Sequence, residues 1–274
     1  MAYEYPGQGG LDYFPCRYGK SKLLFRGPRR RLDGDYLAVI GGSETYGKFV
    51  ADPYPALLEQ SIGQPVVNFG YMNAGIDVFV NEPTVIDICS KALVTVVQLM
   101  GAQNTSNRFY AVHPRRNDRF LRASPLMKTI FREVDFTDFN FTRHMLNTLR
   151  LHAPDKFPIL VDELRAAWLA RMKLLLQRIE GKVLLLWLEP PAHLPARDDL
   201  GPDPFLVDAD LVSRIRPLAA GLVHVRSTGL PAPGASPGMI YSELEEPQTH
   251  DMPGPACHGD VARALEPALR ELMQ

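Results

Sequence analysis

The apolar run YLAVI stops at Gly41 and Gly42, and Ser43 follows at once in GGSETYG. Two more polar side chains stand after apolar runs: Asn73 in NFGYMNAG and Asn104 in MGAQN. A serine can attack a carbonyl carbon, and the oxyanion that develops must be met by donors already aimed at it. Backbone N–H groups beside Ser43 and at the tight turn near Asn73 are such donors, and the amide NH₂ of Asn104 would complete the set. Taken singly the signals are weak. A serine at a strand end commonly caps the next helix, and an asparagine in QNTSN commonly sits in a turn. GGSETYG lacks the Gly-Lys-Ser/Thr ending of a Walker loop and does not fit Gly-x-Gly-x-x-Gly. The chemistry therefore depends on the three residues meeting.

Strands must carry them to that meeting. Runs rich in Val, Leu and Ile predict strands over 36–40, 65–69, 93–100, 182–188 and 222–225. They are continuous and not alternating, which suits a parallel sheet covered on both faces. Helical patterns lie between or after them, in YPALLEQSI, PTVIDICSKA, ILVDELRAAWLARMKLLLQRIEG, DADLVSRIRPLAAG and GDVARALEPALREL. Trp168 and Met172 fall on the apolar stripe of the longest and read as core. This alternation predicts a doubly wound α/β fold. Function in such a sheet gathers at the carboxyl ends of the strands, where Ser43, Asn73 and Asn104 would face one crevice.

Residues 105–158 break the repeat. They are polar, aromatic and basic, and too long for an ordinary connection. They read as an inserted, partly helical cap, with Phe109, Tyr110, Phe120, Phe131, Phe136, Phe139 and Phe141 as its own core. Arg115, Arg116 and Arg119 in HPRRNDRFLR follow Asn104 closely and would overhang the crevice, where they could bind a carboxylate, sulfate or phosphate of a substrate. The other reading of HPRRNDRFLR, and of RGPRRR, is a solvated or ion-paired face. Residues 1–35 read as an N-terminal arm or hairpin. EPPAHLPARDDLGPDPF and STGLPAPGASPGM read as proline-rich surface loops. The whole, 1–274, reads as one domain with an insertion.

The blocks VIGGSETYG, PALLEQSIGQPVVNFGYMNAG and VVQLMGAQN resemble those of the SGNH/GDSL hydrolase superfamily in order and spacing, over roughly the first hundred residues and the last helix. The resemblance implies a three-layer α/β/α sandwich on a five-stranded parallel sheet in flavodoxin-like order, with the helical insertion after strand 3. It implies Ser43 as nucleophile, Asn104 as side-chain oxyanion donor and the Asn73 turn as backbone donor. The whole chain is also similar to an uncharacterised alphaproteobacterial family, which brings no chemistry with it.

Several positions depart from the superfamily pattern. Gly42 stands where it has an aspartate, Asn73 where it has a glycine, and GAQN is one residue longer than its third block. Its C-terminal Asp-x-x-His-Pro pattern is replaced within THDMPGPACH, which puts Met252 at the histidine and Thr249 at the aspartate. Two histidines remain as candidate bases. His258 stands at the start of the last helix and is the preferred one; His250 lies in the preceding loop beside Asp251.

The chain has 274 residues and a formal net charge of −1, so no global field draws it to nucleic acid or a membrane. Cys16, Cys89 and Cys257 make neither a disulfide framework nor a metal knuckle, and no cluster has metal-ligand spacing. No cofactor, metal, nucleic acid or membrane partner is expected. The N-terminus lacks the pattern of a secretory signal, and the cysteine usage suits a cytoplasmic setting. Two functions fit: an ester hydrolase acting on a small molecule, or a repurposed relative that binds a small anionic metabolite. Group transfer is a variant of the first.

Overall fold

The computed structural model describes residues 9–189, 200–226, 237–250 and 252–274. Most of the two proline-rich stretches, and Asp251, lie outside these residues. The elements in chain order are β1 (Leu37–Gly41), α1 (Ser43–Tyr46), α2 (Tyr54–Ile62), β2 (Val66–Gly70), α3 (Ile76–Val80), α4 (Pro83–Lys91) and β3 (Thr95–Gln98). Then come β4 (Tyr110–His113), β5 (Arg116–Ala123), α5 (Pro125–Ile130), α6 (Thr142–His152) and α7 (Phe157–Arg178). The chain closes with β6 (Val183–Glu189), α8 (Ala209–Ile215), β7 (Gly221–Arg226), α9 (Glu246–Thr249) and α10 (Pro255–Leu272).

Five strands form one sheet in the order β2-β1-β3-β6-β7, with every neighbouring pair parallel. This is the flavodoxin-like order. Successive side chains of a strand point to opposite faces, and here both faces are covered. Leu37 and Val39 pack with Tyr54 and Leu58 of α2 and with Val261 and Leu265 of α10. Ala38 and Ile40 belong to the larger core on the other face, with Phe79, Val85, Leu164 and Trp168 of α3, α4 and α7. Burial on both sides is why the strands read as unbroken apolar runs. The strand expected over 93–100 pairs only from Thr95 to Gln98 and then turns.

The insertion after β3 holds helices α5 and α6, as expected, and also an antiparallel hairpin of β4 and β5. The exposed positions of β5 are Arg116, Leu121 and Arg122, Asp118 and Arg119 are half-buried, and its pairing with β4 shifts register twice, so no clean alternation marks it in the sequence. Six of the seven aromatic residues expected to form a core of the insertion's own are buried, but within the larger core shared with the sheet, α3, α4 and α7; Phe141 is exposed.

The N-terminal arm forms a short antiparallel bridge between Cys16 and Phe25, and it buries Tyr18, Leu23 and Phe25. Arg26 is buried too. Its guanidinium donates to the carbonyls of Tyr46, Gly47, Val50 and Ala51, at and just beyond the end of α1. Among the described residues no helix is long and apolar enough to cross a membrane.

Candidate active site

β1, β2 and β3 are neighbours and parallel, so their carboxyl ends open on the same edge of the sheet. The strand order reverses between β1 and β3, which makes the space above them the switch point of the fold. Ser43, Asn73 and Asn104 all sit in the turns that leave these three strands.

Ser43 opens α1 and is buried. The turn before it is tight: a Cβ on Gly41 would lie 1.9 Å from the Thr45 hydroxyl, which explains the glycine. Gln98, at the end of β3, holds that turn. Its carbonyl accepts from the Gly42 N–H at 3.1 Å and from the Thr45 hydroxyl, and its amide donates to Glu44 at 2.9 Å. The sequence carried a sign of Gln98, a single amide inside the apolar run VVQLM, but nothing marked what it would hold.

Asn73 has φ of 54°, in the left-handed region that glycine and asparagine tolerate best. So the asparagine at the superfamily's glycine position has the backbone a glycine would supply. Its N–H donates to Ser43 Oγ at 3.0 Å. Its side chain lies on the solvent side, with Oδ1 3.5 Å from Ser43 Oγ and Nδ2 donating to Asp118 Oδ2 at 3.3 Å.

Asn104 ends a short 3₁₀ turn, Ala102–Asn104. Its Nδ2 donates to the Asn73 carbonyl at 3.2 Å, while its Oδ1 accepts from the buried Thr142 hydroxyl at 2.8 Å. Thr142 therefore fixes which way the amide faces. The two turns touch closely, since a Cβ on Gly75 would lie 1.9 Å from the Asn104 carbonyl oxygen. The fully buried Asn117 of β5 ties the hairpin to the same place, accepting from the N–H groups of Gly75 and Val78 at 3.0 and 3.1 Å.

The structure thus brings Ser43, Asn73 and Asn104 together. Among the described residues no imidazole hydrogen-bonds the Ser43 hydroxyl, whose partner is Asn73. His258 is buried in α10 and stacked on Tyr54, with Nδ1 accepting from the Tyr54 N–H at 3.1 Å. Its Nε2 is buried without a hydrogen-bond partner among the described residues. Burial, with the Arg26 charge adding to it and the Pro253 carbonyl opposing, lowers its pKa to about 3. His250 is exposed at the end of α9. Met252 is buried against Phe49 and Met239, and the Thr249 hydroxyl donates to the Glu246 carbonyl.

Of the three arginines, Arg115 is exposed between β4 and β5, and its N–H donates to His113 Nδ1. Arg116 is exposed at the start of β5. Arg119 lies over the Phe141 ring, 5.6 Å from its centre. Between them Asp118 is half-buried, and burial raises its pKa although Arg119 and Arg116 both oppose the rise. Asp118, Asn117, Gln98 and Arg26 were not read as site residues. Asp118 and Arg26 sit inside charged runs that look like any solvated face. A cavity of about 360 Å³ lies elsewhere, between the N-terminal arm and α2, and Ser43, Asn73 and Asn104 do not line it.

Residues 1–273 match DUF6473, a domain of unknown function, and the chain belongs to that family. No curated protein matches it. Among solved structures it is similar to an extracellular lipase from Streptomyces rimosus, at 13% sequence identity and a TM-score of 0.46, over 87% of this chain and 100% of that one. The fold assignment stands on the sheet order itself.

Proposed function

We propose that this DUF6473 protein is a serine hydrolase of the SGNH type that cleaves a carboxylic or related ester of a small molecule. The reading rests on one observation above all: the Asn73 N–H, in a glycine-like backbone, stands 3.0 Å from Ser43 Oγ. A donor there lies beside the carbon that Ser43 would attack. As the Ser43 Oγ–carbon bond forms, the carbonyl oxygen takes up charge and draws the Asn73 N–H away from Oγ. The Asn104 amide, whose orientation Thr142 fixes, keeps one N–H on the Asn73 carbonyl and offers the other to the same oxygen. Donors held in place before the reaction stabilise its transition state without reorganising. The alcohol departs with a proton, and water then releases the acid from Ser43. A fluorophosphonate probe should modify Ser43 in the wild-type protein and leave Ser43→Ala untouched.

A second reading keeps the fold and drops the chemistry. Met252 is packed in an apolar cluster where the superfamily carries its histidine, and Arg115, Arg116 and Arg119 ride on the hairpin beside the crevice. On this reading the crevice binds a small carboxylate, sulfate or nucleotide, which would raise the melting temperature. No stabilisation by any of these anions, together with ester turnover that Ser43→Ala abolishes, removes it. Transfer of the acyl group to an acceptor other than water is a variant of the first reading, and product analysis distinguishes the two.

A further inference from the structure

We infer that Asp118, carried to the crevice by the cap hairpin, takes the proton from Ser43. The inference depends on Ser43 being the nucleophile and supplies the base that the superfamily draws from a histidine.

The geometry points to Asp118 by three steps. The Asn73 side chain touches both groups, with Oδ1 3.5 Å from Ser43 Oγ and Nδ2 3.3 Å from Asp118 Oδ2. The carboxylate is therefore separated from the hydroxyl by the width of one amide. That amide is on the solvent side, so turning it aside gives Asp118 a direct or one-water path to the hydroxyl. Next, Asp118 is fixed in place: its neighbour Asn117 is wholly buried and bonded to Gly75 and Val78, in the segment that follows Asn73. A catalytic group held on a rigid support stays within reach of its partner. Last, two rival groups among the described residues, His258 and Glu44, have other partners. His258 is bonded to the Tyr54 backbone, and the carboxylate of Glu44 accepts from Gln98.

The environment suits the task. Asp118 faces Arg116 and Arg119 from its own strand and Asn73 from the turn packed against it. Burial outweighs the arginines and makes the carboxylate a stronger base than a free aspartate. In the step itself, the Ser43 O–H proton passes to an Asp118 oxygen as Oγ bonds the acyl carbon. The protonated carboxyl gives that proton to the departing alkoxide. In deacylation Asp118 takes a proton from the attacking water and returns it to Ser43.

The test is the rate at which a fluorophosphonate labels Ser43 in the full chain, measured across pH. For the wild type the rate should rise through one limb, above the ordinary aspartate range, to a plateau. Asp118→Asn should lower the plateau by roughly 100-fold or more and remove the limb, and Asp118→Glu should recover part of it. Arg119→Met, which takes away an opposing charge, should move the wild-type limb to higher pH. The inference is overturned if Asp118→Asn labels at the wild-type rate with the same limb. It is equally overturned if the limb stays put in Arg119→Met, or disappears in Glu44→Gln or His250→Gln. A wild-type protein that takes no label overturns the nucleophile reading as well, so the two failures are distinguishable. A Tm of Asp118→Asn at or above that of the wild type at pH 7 shows that a slow rate is not loss of fold.

Discussion

Asn73 shows how one residue can leave a motif while keeping its physics. The pattern calls for glycine, and asparagine holds the same left-handed backbone at φ 54°. Asn73→Gly should therefore keep Ser43 labelling within a few-fold of wild type. Asn73→Val, whose branched Cβ strains that conformation, should slow labelling and cost about 1–2 kcal/mol of stability by urea denaturation. Asn73, which bonds the serine, and Asn104, which bonds Asn73, were legible because each follows an apolar run. The base we propose was not, because the superfamily pattern places a histidine near the last helix, where this chain has Met252, packed on Phe49 and Met239. His258 has the opposite character, buried on Tyr54. Its folded pKa of about 3 lies below the ordinary value of 6.5, so the unfolded chain binds the proton more tightly between those values. The stability due to this histidine is present in full above pH 6.5 and is lost as pH falls toward 3. Urea midpoints should drop over that window in the wild type, and the drop should be smaller in His258→Phe.

At the scale of elements, the central strands were readable since burial on both faces makes most of their side chains apolar. The hairpin of β4 and β5 was not, since its outer positions carry Arg116, Arg119 and Arg122 and its register slips. The four-residue α1, which presents Ser43, is held from both sides. Gln98 grips its entry, and Arg26 gathers the carbonyls at and beyond its exit. Neither long-range contact leaves a local signature. Arg26→Met would take the guanidinium away from four carbonyls, of which that of Gly47 keeps the Val50 N–H, and buried polar groups that lose a partner are costly. We expect a loss of at least about 2 kcal/mol, read from the denaturation midpoint, and slower labelling of Ser43 because its helix is no longer fixed.

Across the whole molecule, sheet order is what converts three separated turns into one crevice. β1 and β3 lie side by side at the point where the order reverses, with β2 on the outer edge, so the three exits open together. The β4–β5 hairpin is tied to this edge through Asn117, which accepts from the N–H groups of Gly75 and Val78. Asn117→Ala should release both amides, and hydrogen exchange at Gly75 and Val78 should rise while that in β1 and β3 stays unchanged. Labelling of Ser43 should slow in parallel, since Asn73 precedes the loosened segment. The claim that binds these scales is that Ser43 is an activated nucleophile. Peptide mapping by mass spectrometry after fluorophosphonate treatment addresses it most directly. The account predicts a single adduct, on the peptide containing Ser43 and absent from Ser43→Ala. A folded wild-type protein that remains unmodified, or an adduct that persists in Ser43→Ala, would contradict it.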